Sequence, residues 1–105
     1  VSVKFQSMTP EPKSILDEAK EITKGARRSH YGTPLENHTL TGRLWADYLK
    51  LDKPLSPEQV CAMNVLQKIS RTASGVFTRD TWVDVAGFAE NGAEVGACVA
   101  ANPRK

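Results

Sequence analysis

The chain has 105 residues, 25% of them charged and 40% hydrophobic, with a formal net charge of +2. That length supports one domain around one core, and the composition is that of an ordinary globular protein. So small a positive excess forms no basic stripe, the densest cluster being Arg27, Arg28 and His30, so nucleic acid is not an expected partner.

Phe5-Gln6-Ser7 followed by Met8 reads as the remnant of a cleavable expression tag, so residues 1–7 are set apart and 8–105 are read as one helical domain. Ser14 ahead of Ile15, with Asp17 three residues on, is a capping-box-like helix start. Ile15, Ala19, Ile22 and Ala26 follow as one apolar stripe, ending near Gly25. Thr33-Pro34-Leu35-Glu36 starts a second helix by hydroxyl cap, proline at the first position and glutamate at the third. It is expected to reach about Leu49, with Leu40, Leu44 and Tyr48 on one face and Trp45 beside them.

Ser56-Pro57-Glu58-Gln59 repeats that chemistry and opens a third helix, with Ala62, Leu66, Ile69 and Ala73 as its expected core stripe, flanked by Met63 and Val65. Ser74-Gly75 stops it, and Thr78 or Asp80 caps a fourth helix burying Trp82, Val85, Ala86 and Ala89. Asn91-Gly92 is a turn signal, so the last stretch is expected as part of this helix or as a fifth. Its many glycines and alanines allow close approach to another helix or another copy of the chain, and Asn102 to Lys105 read as a frayed tail. No sustained alternation marks a strand, so the fold class is all-α, a compact bundle of four to five helices.

Chemistry-bearing residues concentrate in the third and fourth helices. Asn64, Lys68 and Arg71 share one face of the third, and Asp80 and Asp84, at i and i+4, share one face of the fourth. In an antiparallel hairpin Arg71 falls opposite Asp80 and Lys68 opposite Asp84. Two accounts fit: a structural ion-pair ladder, or carboxylates holding Mg²⁺ beside basic groups holding a phosphate. Glu18 and Glu21 form an ExxE pair on the first helix that could add metal ligands, although Lys20 and Lys24 surround it as on a solvated face. Tyr31, Asn37 and Trp45 are the remaining candidate contacts to a nucleotide, and the two tryptophans also read as core. Cys61 and Cys98 lie among small apolar residues without zinc or disulfide spacing, and no Ser or Cys nucleophile motif occurs. With no apolar run near 18 residues and no signal-peptide pattern, a soluble cytoplasmic protein with no membrane partner is expected.

The strings ILDEAKEITKGARRSHYGTPLENH, LWADYL, SPEQVCAMNVLQKISR and RDTWVDVAGFAENG resemble a family of small uncharacterised proteins of tailed phages and prophages. Its pattern looks like R-x-x-YG-x-P-x-x-N, a tryptophan, K-x-x-R, then D-x-x-x-D-x-x-G-aromatic. These positions are Arg28, Tyr31, Gly32, Pro34, Asn37, Trp45, Lys68, Arg71, Asp80, Asp84, Gly87 and Phe88. The chain also resembles the MazG-like all-α nucleotide pyrophosphohydrolases, whose ExxE and following ExxD pairs bind Mg²⁺ around a triphosphate. Here Glu18 and Glu21 match the ExxE, but no ExxD follows.

Two functions are carried forward from these observations. One is nucleotide binding or Mg²⁺-dependent pyrophosphate release, with Lys68, Arg71, Tyr31, Asn37 and Trp45 on the nucleotide and Asp80, Asp84, Glu18 and Glu21 on the metal. The alternative is a non-enzymatic phage accessory protein that binds a host factor. A homo-oligomer in the cytoplasm of a bacterial host is expected in either case.

Overall fold

The computed structural model describes residues 13–25 and 32–102. The proposed tag remnant, the Arg27, Arg28 and His30 cluster, Tyr31 and the end of the tail lie outside them. Among the described residues there are four α-helices and no strand: α1 (Ile15–Lys24), α2 (Pro34–Leu49), α3 (Pro57–Ser70) and α4 (Arg79–Ala101), with a 3₁₀ turn (Arg71–Ser74) between the last two. The all-α expectation holds.

The starts follow the cap chemistry. Ser14 Oγ accepts from the Leu16 N–H at 3.1 Å. Full capping boxes form at Thr33 with Glu36 and at Ser56 with Gln59, each with proline in the first turn. Thr78 precedes α4 but makes no side-chain cap bond. Helix α2 ends in a reciprocal backbone lock in which Leu51 N–H donates to Ala46 O at 2.9 Å and Lys50 N–H to Asp47 O at 3.2 Å. That geometry holds Lys50 at φ 59°, left-handed without being glycine.

Helix α4 is the spine. It runs antiparallel to α3, with Lys68 beside Asp84, Cys61 beside Gly92 and Glu58 beside Gly96. It runs parallel to α1, whose first turn meets Arg79 through Glu18 and whose last residue, Lys24, reaches Glu90 at 3.2 Å and Glu94 at 3.1 Å. Those carboxylates, Glu94 foremost, hold the Lys24 ammonium above its ordinary pKa. The turn expected at Asn91-Gly92 does not form, because both residues lie inside the unbroken 23-residue helix. The glycines of α4 serve packing within this chain: a Cβ at Gly87 would meet Thr23 Cγ2 at 3.5 Å, and one at Gly92 would meet Cys61 Cβ at 3.4 Å.

Helix α2 packs against the start of α3 through Gly42. The segment after α2 doubles back so that Leu55 N–H donates to Gly42 O at 3.2 Å. A Cβ at Gly42 would overlap the Leu55 carbonyl oxygen.

The core differs from the expected stripes. Its largest fully buried side chains are Val60, Val95 and Cys61, joined by Ala19, Ala46 and Val83, with Thr23, His38 and Thr81 buried beside them. Many of the larger apolar residues face outward. Leu40, Leu44 and Tyr48 of α2 are exposed, while His38, Gly42 and Ala46 turn inward. The expected core positions Ala62, Leu66 and Ile69 of α3 and Ala73 of the 3₁₀ turn are all exposed, as is the flanking Met63, while Val60 and Cys61 are buried. Trp82 is also exposed, Trp45 is half-buried, and Val83 rather than Ala89 is buried on α4. Helical spacing identified the apolar stripes, but the close approach at Gly42 brings the small-residue face of α2 to the interior.

Candidate functional site: a cleft between three helices

One rung of the predicted ladder forms. Lys68 Nζ lies 3.0 Å from Asp84 Oδ2, and the lysine side chain is only 16% exposed against 40% for the aspartate. The rung exists because α3 and α4 are antiparallel at this register. The second rung does not form: among the described residues no ion pair joins Arg71 to Asp80, and both are exposed. At Arg71 the chain leaves the α-helix for the 3₁₀ turn, whose three residues per turn no longer follow the α-helical spacing that the rung requires. The hydroxyls of Ser70, Thr72 and Ser74 fix that turn by donating to carbonyls three residues back.

The Lys68–Asp84 pair lines a cleft of about 260 Å³ between α1, α3 and α4. Ile22, Val83 and Phe88 give it apolar walls, and Thr23 and Asn91 bring polar groups. Asn91 Oδ1 is buried and accepts no hydrogen bond. Nothing in the spacing of charged residues singled out Asn91; its only signal was an Asn-Gly pair inside a helical pattern. Arg71 lies elsewhere, in a cleft of about 210 Å³ with Phe77, Thr81 and Trp82.

The other expected contacts are dispersed. Asn37 is exposed and Trp45 half-buried on α2, and neither borders the Lys68 cleft. Tyr31 is outside the described residues. Glu18 pairs with Arg79, Glu21 with Lys13, and Asp84 with Lys68. Asp80 stands exposed at the start of α4. Among the described residues, no three His, Cys, Asp or Glu side chains gather where they could hold a metal ion. The four carboxylates expected on a metal, Glu18, Glu21, Asp80 and Asp84, are thus not gathered into one donor set.

Both cysteines are free, Cys61 buried and Cys98 exposed, so only Cys61 behaves as the small hydrophobe expected of both. Burial, reinforced by the Glu58 carboxylate, pushes the Cys61 thiol up to about 11, which keeps it protonated and unreactive near neutral pH.

A second surface stands out from the sequence periodicity and the burial together. Between Gln59 and Ser70 the only charged residue of α3 is Lys68, and it turns inward onto Asp84. The outer face is left with Ala62, Met63, Leu66, Gln67, Ile69 and Ser70, exposed and uncharged. Val76 and Phe77, in the segment after the 3₁₀ turn, are 68% and 75% exposed. No helix among the described residues is long and apolar enough to cross a membrane.

The chain is similar to two curated phage proteins. It is 42% identical over 76 residues to the Gene 55 protein of Mycobacterium phage L5, an alignment covering 72% of this chain and 48% of that protein. It is 37% identical over 76 residues to the Gene 55 protein of Mycobacterium phage D29, covering 72% of this chain and 49% of that protein. The chain thus spans about half the length of the curated relatives it matches. No solved structure matches. A family model described as a domain of unknown function, DUF6378, matches residues 14–96, which takes in α1 to α3 and most of α4. The chain accordingly belongs to the DUF6378 family, and its relatives are phage proteins.

Proposed function

We propose that this domain is a non-enzymatic phage accessory module that docks on a host protein in the bacterial cytoplasm, through the outer face of α3 and the Val76–Phe77 segment. The observation that carries this reading is the inverted distribution of apolar side chains. Small residues fill the interior while Leu66 and Phe77 stand in solvent and Met63 and Ile69 are partly uncovered. Exposed apolar patches on small domains mark interaction surfaces, and interface centres are depleted of charge. An α3 whose one mid-helix charge is turned inward has that character.

Leu66 is 67% exposed, so Leu66→Glu changes folding stability by no more than about 0.5 kcal/mol. The same substitution places an unpaired charge at the centre of the docking face and weakens partner binding by at least about tenfold. The test is reconstitution of the wild-type and Leu66→Glu proteins with a purified host protein recovered from infected cells, with light scattering to give the stoichiometry. A complex containing the host protein, lost in the variant, supports docking. A homodimer that the variant dissolves while no host complex forms assigns the face to a second copy and contradicts it.

A second reading has its own support in the Lys68–Asp84 cleft, which is concave, part apolar and part polar, as small-ligand sites are. It is a site for a nucleotide-class ligand, without a metal-dependent step.

A further inference from the structure

We infer that the α1–α3–α4 cleft recognises the heterocyclic base of its ligand rather than a phosphate, with Asn91 as the reading residue. The inference rests on the second reading above, that the cleft takes a nucleotide-class ligand. Three observations point from phosphate to base.

First, the Lys68 ammonium is already neutralised by Asp84 at 3.0 Å, and Arg71 is in another cleft, so among the described residues the site offers an anion no uncompensated positive charge. Second, Asn91 Oδ1 is buried at the cleft and accepts no hydrogen bond. A buried polar atom without a partner is rare and costly, and asparagine is also a poor residue for a helix interior. Both costs are met at one position, in the middle of the longest helix. A carboxamide reads a neighbouring donor and acceptor on a flat ring in a way that no other neutral side chain matches. Third, Phe88, one turn beyond Asp84 on α4, supplies an apolar surface against which a ring can lie. A cleft of about 260 Å³ is below the usual range for whole drug-sized ligands and suits a single base.

The test is calorimetric titration of the full chain with adenine, cytosine, their nucleosides and their triphosphates, each with and without Mg²⁺. The expected result is that bases and nucleosides bind without Mg²⁺ and that the triphosphate adds little. Asn91→Ala should weaken that binding by about tenfold, the usual cost of one lost directional hydrogen bond, and should raise the melting temperature by removing the orphaned acceptor. Triphosphates that bind while bases and nucleosides do not would overturn base recognition and leave the nucleotide reading standing. A titration silent for every ligand would overturn both and leave the cleft to ordered water. Base binding unchanged in Asn91→Ala, or a lowered melting temperature in that variant, would make Asn91 structural and remove its assigned role.

Discussion

At the residue scale the fold depends on a few positions where side-chain size or protonation is decisive. Gly42 is the clearest, since any Cβ there collides with the backbone carbonyl of Leu55, a residue held in place by its own N–H donating to Gly42 O. Gly42→Ala is expected to destabilise the domain by about 3 kcal/mol, to be read from the denaturant midpoint. The Cys61 thiol provides a pH signature. Its folded-state pKa is raised to about 11 from 9.0, so the folded state holds the proton more tightly than the unfolded chain. Stability from this group is fully present below about pH 9 and is lost as pH rises towards 11, by about 2–3 kcal/mol at most, taking 1.36 kcal/mol per unit. The Lys24 bridges weaken in the same direction, because their lysine is held protonated in the fold. Cys61→Ala should therefore flatten the alkaline fall in melting temperature without abolishing it. An unchanged fall in that variant would remove the thiol from the account.

At the element scale, helix boundaries were legible and helix faces were not. Ser14, Thr33 and Ser56 announce three of the four starts because capping is local chemistry, settled within four residues. The antiparallel hairpin register was legible too, in the pairing of Lys68 with Asp84. What failed was reading the buried face from apolar periodicity. Leu40, Leu44 and Leu66 lie on periodic stripes yet face outward, and on α2 the tight crossing at Gly42 turns another face inward. Periodicity identifies an amphipathic helix without saying whether its apolar side meets the core or a partner. Asn91-Gly92 misled for a related reason: α3 packs against Gly92 and holds the helix through a dipeptide that otherwise turns. The Arg71–Asp80 rung was lost to a change of helix type that no charge pattern reveals. Lys50 allows a prediction at this scale. It occupies a left-handed position that glycine adopts without steric cost, so Lys50→Gly should stabilise the domain by about 0.5–1 kcal/mol, seen as a rise in melting temperature. A fall would mean that the side chain contributes more than its backbone strain costs.

At the scale of the whole molecule, α4 is a spine that α1 and α3 flank, with a polar cleft where the three meet and an uncharged apolar surface on the far side of α3. The two features are separate, and the docking reading depends only on the second. A single domain whose fully buried residues are mainly valine, alanine and cysteine draws modest stability from its own core, since each buried valine contributes about 1.5–3 kcal/mol. Covering Met63, Leu66 and Ile69 in a complex would add burial that the isolated domain lacks, so the partner should raise the domain's melting temperature as it binds.

The most direct measurement is hydrogen–deuterium exchange on the domain alone and in complex with the host protein recovered from infected cells. Docking through this face gives new protection along residues 62–77, the outer face of α3 through Phe77, with α1 unchanged. Protection confined to α1 and the Lys68–Asp84 cleft, with residues 62–77 exchanging as in the free domain, would contradict it.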